Sequence, residues 1–201
     1  LLRLLAGLEE PDDGTVALGG EPLRGPSPTH PMVAQGATLF PWLSLRDNLA
    51  WGPSAARRPD AGAVADDLLV ATGLTGFADA LPRQLSGGMR QRAAIAQVMA
   101  NRPPVLLLDE PFGALDAQTR LRMHEWLRGL LAERPTTVVL VTHDVEEALL
   151  LGDRLALLRR RPTRVIESTR VAFGPERGRA TLRDPRFVEL KVQVLERVLA
   201  S

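Results

Sequence analysis

The run Val105 to Leu108 constrains the fold of this 201-residue chain most, because four aliphatic residues lead directly into Asp109, Glu110 and Pro111. A short apolar run bounded by Pro104 and by acids predicts a strand that is buried on both faces. Such strands are typical of parallel sheets covered by helices, whose ligands bind at the carboxyl ends of the strands. The other predicted strands alternate with helical segments, so we expect an α/β fold with a largely parallel sheet.

Asp109 and Glu110 are neighbours at the predicted end of that strand. Successive side chains of a strand point in opposite directions, so the two carboxylates cannot perform the same task. One can approach a Mg²⁺ ion, and the other can face a water molecule that is ready to attack. An isolated Asp-Glu pair is more often a solvated strand end, so this interpretation depends on patterns elsewhere in the chain.

A second pattern runs from Leu85 to Arg92 and leads into a predicted helix that ends near Ala100. Ser86 is a good N-cap, and Gly87 and Gly88 would let the backbone approach an anion closely. Free N–H groups and the helix dipole make such a helix start a candidate phosphate site. Taken alone, Ser-Gly-Gly more often marks an ordinary capped helix.

Composition excludes several classes of protein. Lys and Arg number 25 and Asp and Glu 24, and this balance argues against nucleic-acid binding as the main role. The chain has no cysteine, which excludes a disulfide scaffold and thiolate metal sites. No apolar run approaches the roughly 18 residues of a membrane span.

Periodicity and turn residues predict the remaining elements. Strands are predicted at 15–18, 32–35, 105–108, 137–141, 155–158 and 165–166. Helices are predicted at 1–8, in a broken helical region at about 45–100, around 123–131, at 144–151 and at about 185–200.

Several of these patterns together resemble the ATPase subunits of ABC transporters. The segments that carry the resemblance occur in the family's order: Leu85–Gln91, Asp109–Pro111, Gly113–Asp116 and Val141–Asp144. They resemble the ABC signature, Walker B, the D-loop and the switch histidine, and Gln35 resembles the Q-loop glutamine. The resemblance implies an α/β P-loop NTPase of the ABC ATPase type, with a mainly parallel sheet and a helical subdomain. We therefore expect residues 1–201 to be a partial ABC ATPase domain, with the helical subdomain at about 45–100.

The resemblance also implies ATP and Mg²⁺ as cofactors and a role for each matching residue. Asp109 and Gln35 would hold or sense Mg²⁺, Glu110 would be the general base, and His143 would contact the γ-phosphate. In the family two subunits enclose two ATP molecules. The residues expected at that interface are Ser86, Gly87 and Gly88, which would close on the partner's ATP, and Asp116.

A narrower resemblance is to the nitrate, sulfonate and taurine importer group. It rests on Leu39–Asn48 after Gln35, on Arg159–Val165 and on Asp184–Phe187. It implies a second ATPase subunit, membrane permease subunits and, indirectly, an extracytoplasmic solute-binding protein as partners. The expected location is the cytoplasmic face of the bacterial cell membrane.

Two aromatic residues of the same stretch, Phe40 and Trp42, flank Pro41. They could be core residues, but large aromatic side chains in a loop are also typical of a docking surface. The family uses this region for docking, so we expect Phe40 and Trp42 to contact the permease.

One family pattern has no match here. Walker A, Gly-x-x-x-x-Gly-Lys-Ser/Thr, should precede Leu1, and the only lysine of the sequence is Lys191, in a helical segment without a glycine loop. We expect Lys191 to be a solvated charge, the N-terminal strands and phosphate loop to be cut off before or within Walker A, and the chain as given to be inactive. The alternatives are a non-catalytic ABC remnant and a soluble, non-transport ABC ATPase.

Overall fold

The structure is a computed structural model that describes residues 1–34, 36, 39–159, 163–174 and 176–200. Its α-helices are α1 Leu2–Leu5, α2 Leu45–Ala55, α3 Ala61–Thr72, α4 Gly87–Met99, α5 Ala117–Glu133, α6 Val145–Leu151 and α7 Pro185–Ala200. Its strands are β1 Ala17–Leu18, β2 Glu21–Pro22, β3 Met32–Val33, β4 Val105–Asp109, β5 Thr137–Val141, β6 Arg154–Arg159 and β7 Arg164–Arg170. The chain divides into two compact units, Leu1–Asp116 with Gly129–Val141, and Ala117–Arg128 with Thr142–Ser201.

A parallel sheet organises the first unit. Its strand order is β3-β4-β5, with β4 paired in parallel to both neighbours. Leu106, Leu107 and Leu108 of β4 are fully buried. The prediction of a strand buried on both faces is confirmed, and its register with β5 runs from Val105↔Thr137 to Asp109↔Val141.

The first helix packs on this sheet. Leu2 and Ala6 form a buried cluster with Leu107 of β4. The predicted helix over 1–8 is only half formed, because Gly7 has a φ of +68°. An added Cβ at Gly7 would lie 2.4 Å from the carbonyl carbon of Gly25, so this close approach of two backbones requires glycine.

Three helices, α2, α3 and α4, occupy the region predicted to be helical and broken at Pro and Gly residues. Ser44 caps α2 by accepting the Asp47 N–H at 3.1 Å. Gly73 caps α3 in the left-handed conformation, with a φ of +67°. These helices lie in the same unit as the parallel sheet, and a separate helical subdomain at 45–100 stays a prediction.

The second unit contains α6, α7 and the antiparallel hairpin β6–β7. A connection of four residues cannot cross over a sheet, so these two strands pair antiparallel rather than joining a parallel sheet. The core of the unit is built from Leu149, Leu150, Val171 and Phe187.

Two charged or polar pairs also hold the second unit together. Lys191 is half-buried, and its Nζ donates to Glu146 Oε2 at 2.6 Å, joining α7 to α6. The lysine expected to be solvated is thus partly exposed and also ion-paired. The buried His124 lies with its Nε2 3.2 Å from Glu147 Oε1.

Among the helices that the structure describes, none is long and apolar enough to cross a membrane.

Candidate functional site

The carboxyl end of β4 carries the two acidic residues of the candidate site. Asp109 is the last residue of the strand, and both side chains are half-buried. Glu110 has a φ of +44°, which is unusual for a residue with a Cβ and costs about 1–2 kcal/mol. Two main-chain bonds hold it there: its N–H donates to Val141 O at 2.9 Å, and its carbonyl accepts the Gly113 N–H at 3.3 Å.

This conformation changes the argument made from strand alternation. Because the chain leaves extended geometry at Glu110, alternation orients side chains only as far as Asp109. The two carboxylates belong to different backbone environments, one on a strand and one on a tight turn. Two different tasks for the two carboxylates therefore remain reasonable. The reason is the difference between their backbone environments, not the alternation of side chains along a strand.

The start of α4 is built as the sequence predicts. Ser86 is the N-cap, and its Oγ accepts the Met89 N–H at 3.3 Å. A serine oxygen that accepts this bond can still donate its own hydrogen to an anion. Ser86 and Gly87 are exposed and Gly88 is buried, so the helix start offers its first residues to solvent.

The segment after Glu110 returns to this helix start. Leu115 donates its N–H to Phe112 O at 3.1 Å, and Phe112 is fully buried. A Cβ added at Gly87 would lie 3.9 Å from Leu115 Cδ2. The structure thus brings Leu115, the residue before the exposed Asp116, next to the start of α4.

His143 belongs to the second unit, in the turn between β5 and α6, and it is exposed. The residues on either side fix this turn, because Thr142 Oγ1 accepts the Asp144 N–H at 3.0 Å. Asp144 caps α6 by accepting the N–H groups of Glu146 and Glu147 at 2.9 and 3.2 Å. An Asp followed three residues later by Glu is a recognisable cap signature, although the sequence analysis assigned Asp144 to the helix itself.

The Asp144 carboxylate is held in its charged form. Burial alone would raise the pKa of this carboxyl group, but the backbone bonds from Glu147 and Glu146 and the Arg120 guanidinium outweigh it, so the pKa lies below its usual value. Arg120 Nη1 donates to Asp144 Oδ2 at 2.8 Å.

Sequence reasoning missed the role of Asn48. This residue of α2 binds the main chain of the preceding loop, Phe40–Ser44, which we call the aromatic loop. Asn48 is fully buried, and its Nδ2 donates to the carbonyls of Phe40, Leu43 and Ser44 at 3.0–3.1 Å. An amide three residues after the buried Leu45, on the same helix face, was the available signal.

Phe40 and Trp42 of the aromatic loop form a small, partly exposed cluster with Trp51 of α2. The Phe40 ring lies 5.8 Å from the Trp42 ring and 4.8 Å from the Trp51 ring, measured between centroids. Trp42 is 72% exposed and Trp51 is 49% exposed. Trp42 is therefore not a core residue.

One predicted site residue, Gln35, lies outside the described residues. Within the described part of the chain, no group of three or more His, Asp or Glu residues is arranged to hold a metal ion.

Comparison with known proteins gives consistent matches. The family model described as ABC transporter matches residues 1–113. A taurine import ATP-binding protein of Jannaschia sp. (strain CCS1) is 42% identical, over 97% of this chain and 75% of its own length. A nitrate import ATP-binding protein of Synechococcus elongatus is 42% identical over 98% of this chain and 74% of its own. An aliphatic sulfonates import ATP-binding protein of Burkholderia lata is 42% identical over 98% and 70%.

A solved structure also matches this chain. A dimeric ATP-binding cassette in a post-hydrolysis state, bound to ADP and Pi, superimposes with a TM-score of 0.70 at 28% identity. The match covers 86% of this chain and 80% of the other. The α/β fold of the ABC ATPase type, expected from the sequence, is thereby confirmed, and the chain belongs to the ABC transporter family.

Proposed function

We propose that this chain is the ATP-hydrolysing subunit of a bacterial importer for a small solute of the nitrate, sulfonate or taurine kind. The observation that carries the proposal is the end of β4, where Asp109 and Glu110 follow a buried parallel strand in the same unit as the capped start of α4. The names of the relatives support the class of solute, since they import taurine, nitrate and aliphatic sulfonates.

Asp109 is the residue proposed to hold Mg²⁺, with Gln35 as a further ligand or sensor. Mg²⁺ in phosphoryl-transfer sites is usually bound through one or two carboxylates together with the substrate phosphates, rather than by a cage of protein ligands. A single half-buried carboxylate at a strand end fits that requirement. When bound, the ion would neutralise negative charge on the phosphates.

Glu110 is the proposed general base. Its main chain is fixed by the bonds to Val141 and Gly113, so its carboxylate starts from a defined point at the end of the sheet. A base of this kind orients and deprotonates the attacking water, while the other groups of the site position the nucleotide and stabilise its charge. His143, held between Thr142 and Asp144, would contact the γ-phosphate.

A second copy of the chain is proposed to complete each nucleotide site. Ser86, Gly87 and Gly88 would bind the γ-phosphate of the partner's ATP through N–H groups and the serine hydroxyl. Asp116 would lie at the interface between the copies. The dimeric cassette bound to ADP and Pi supports this arrangement.

The aromatic loop is the proposed contact with the membrane permease, at the cytoplasmic face of the cell membrane. A solute-binding protein outside the membrane would act on the same permease, and nucleic acid is not among the proposed partners. The exposure of Trp42 and Trp51 supports a docking role. The alternative of a soluble ABC ATPase with a long coiled coil is disfavoured, because α2 and α3 have only 11 and 12 residues.

The test compares two proteins: residues 1–201, and a loop fusion in which the N-terminal strands of an ABC ATPase and its Gly-x-x-x-x-Gly-Lys-Ser/Thr loop precede Leu1. We expect the loop fusion to hydrolyse Mg-ATP and residues 1–201 not to, because this sequence has no lysine in a glycine loop. Glu110→Gln in the loop fusion should lower the rate about 10²–10⁴-fold and leave ATP binding intact.

Each outcome is decisive. Turnover by residues 1–201 that Glu110→Gln abolishes would overturn the need for a phosphate loop. A Glu110→Gln loop fusion with near-normal turnover would remove Glu110 from the mechanism. A loop fusion that folds and binds ATP, but never hydrolyses it, would favour the non-catalytic remnant.

A further inference from the structure

The hairpin β6–β7 places arginine opposite arginine. Arg154 is paired with Arg170, and Arg159 with Arg164, across the antiparallel ladder. All four side chains are exposed. Like charges directly opposite one another destabilise a sheet, so this arrangement works against the hairpin's own stability.

Among the described residues, acidic side chains do not relieve this repulsion. Over the residues that the structure describes, no carboxylate lies within ion-pair distance of Arg159, Arg164 or Arg170, and Arg154 donates to Ser168 Oγ at 2.9 Å. The one acid of the hairpin strands, Glu167, is held by Thr169 Oγ1 at 2.7 Å and by Arg197 of α7. In the part of the chain that the structure describes, Arg159, Arg164 and Arg170 therefore face solvent without a counter-charge.

The charge is also segregated along the sequence. From Arg154 to Arg170 the chain has six arginines and a single acid, whereas the whole protein has a net charge of only +1. A local excess of this size in a nearly neutral protein creates a positive patch that attracts an anionic surface.

The tip of the hairpin adds apolar area to this patch. The ladder shifts register between Leu157 and Leu158, and beyond that point the described residues 158, 159 and 163–166 are all exposed. Leu158, Val165 and Ile166 are 37%, 61% and 47% exposed. Exposed aliphatic residues thus neighbour arginines along both strands.

We propose that the described end of the β6–β7 hairpin, residues 158–159 and 163–166, docks on an anionic phospholipid surface. Arginines would contact the headgroup phosphates, while Leu158, Val165 and Ile166 would enter the boundary between headgroups and acyl chains. The segment 154–170 contains no aromatic residue, and proteins that bind single-stranded nucleic acid rely on aromatic stacking as well as basic side chains. The aliphatic tip therefore favours a lipid surface over nucleic acid.

The test is flotation of the full chain with vesicles of phosphatidylcholine alone or with 30% phosphatidylglycerol, without any permease. We expect binding only to the anionic vesicles, and loss of it in 0.5 M salt. The Arg159→Gln/Arg164→Gln variant should partition about 30-fold less, since each basic residue near an anionic leaflet strengthens binding about fivefold. Val165→Ser/Ile166→Ser should also bind the anionic vesicles less in low salt.

The matched control is Arg24→Gln/Arg122→Gln, which removes the same charge from exposed positions outside the hairpin. It should partition within a factor of two to three of the unchanged protein. Equal loss in the control, or unchanged partition of Arg159→Gln/Arg164→Gln, would overturn the proposal. So would binding of a 30-nucleotide RNA without binding to vesicles. ATP hydrolysis by the loop fusion is measured separately, so failure here leaves the proposed function standing.

Discussion

Asn48 holds the main chain of Phe40 from both sides: its Oδ1 accepts the Phe40 N–H at 2.7 Å, and its Nδ2 donates to the Phe40 carbonyl at 3.1 Å. The same amide donates to the carbonyls of Leu43 and Ser44 and accepts from Gln97 Nε2 at 3.1 Å. A single buried side chain therefore determines the shape of the aromatic loop.

Asn48→Asp should lower the free energy of unfolding by about 2 kcal/mol. A carboxylate keeps the bond from the Phe40 N–H but has no hydrogen to donate, so the two N–H groups that the amide shares among the three carbonyls are lost, at about 1 kcal/mol each. Urea denaturation followed by far-UV circular dichroism measures this. Asn101→Asp changes the only other asparagine and should cost much less; equal costs would mean that the amide network contributes nothing.

Trp42→Ala should weaken assembly with the permease about 30-fold or more, if Trp42 is a central contact of that interface. The side chain is mostly exposed, so the melting temperature and the basal hydrolysis of the loop fusion should change little. Both are measured in the same variant. Phe77→Ala, at another exposed aromatic residue, serves as the control and should leave assembly intact. A lowered melting temperature with unchanged assembly would contradict the docking role of Trp42.

Gly87→Ala should separate the role of the α4 start in nucleotide binding from its role in folding. The added Cβ would make only an ordinary contact, 3.9 Å from Leu115 Cδ2, and alanine favours helix, so stability should stay the same or rise slightly. In the loop fusion we expect ATP-dependent dimerisation, followed by light scattering, to fall at least tenfold because the added methyl group keeps the backbone from the phosphate. Gly129→Ala, in α5 with nothing near the new Cβ, is the matched control. Normal dimerisation of Gly87→Ala would place the phosphate contact elsewhere.

Asp144→Ala should destabilise the protein by about 0.5–2 kcal/mol at pH 7, the usual cost of losing an N-cap, and Asp144→Asn should cost less because asparagine also caps helices. The pKa of Asp144 is lowered in the folded state, so the charge contributes stability above the unfolded pKa of about 4 and loses it as the pH falls through the folded pKa. The stability gap between the unchanged protein and Asp144→Asn should therefore narrow steadily as the pH falls below about 4. Urea denaturation at pH 7 and at pH 3 tests this, and a gap as large at pH 3 as at pH 7 would contradict the assignment.

The elements that the sequence predicted well are those whose signals are local. β4 is recognised from its own apolar residues, and α7 from Asp184 followed by Pro185. The segment Leu1–Leu8 has a helical pattern too, yet α1 ends at Leu5, because Gly7 meets the backbone of Gly25. That contact depends on tertiary packing, which no local pattern reveals.

In the candidate site, too, the features with local signals were predictable and those that depend on tertiary contacts were not. Residue types and their order indicated Asp109, Glu110 and Ser86, and the cap at Ser86 formed as expected. The left-handed conformation of Glu110 was not predictable, because it depends on main-chain bonds to Val141, more than thirty residues away in sequence. The ion pair of Lys191 was likewise not predictable, because its partner, Glu146, lies on another helix.

At position 110 the backbone conformation and the proposed chemistry favour different residues. A φ of +44° suits glycine or asparagine, and a library screened only for heat resistance would tend to enrich those residues at position 110. Either replacement would relieve the strained backbone and, with it, discard the carboxylate proposed as the base. Substitutions at this residue should therefore raise heat resistance and lower turnover. The position is a poor target for stabilising the protein. It is an informative one for measuring the stability cost of keeping a carboxylate there.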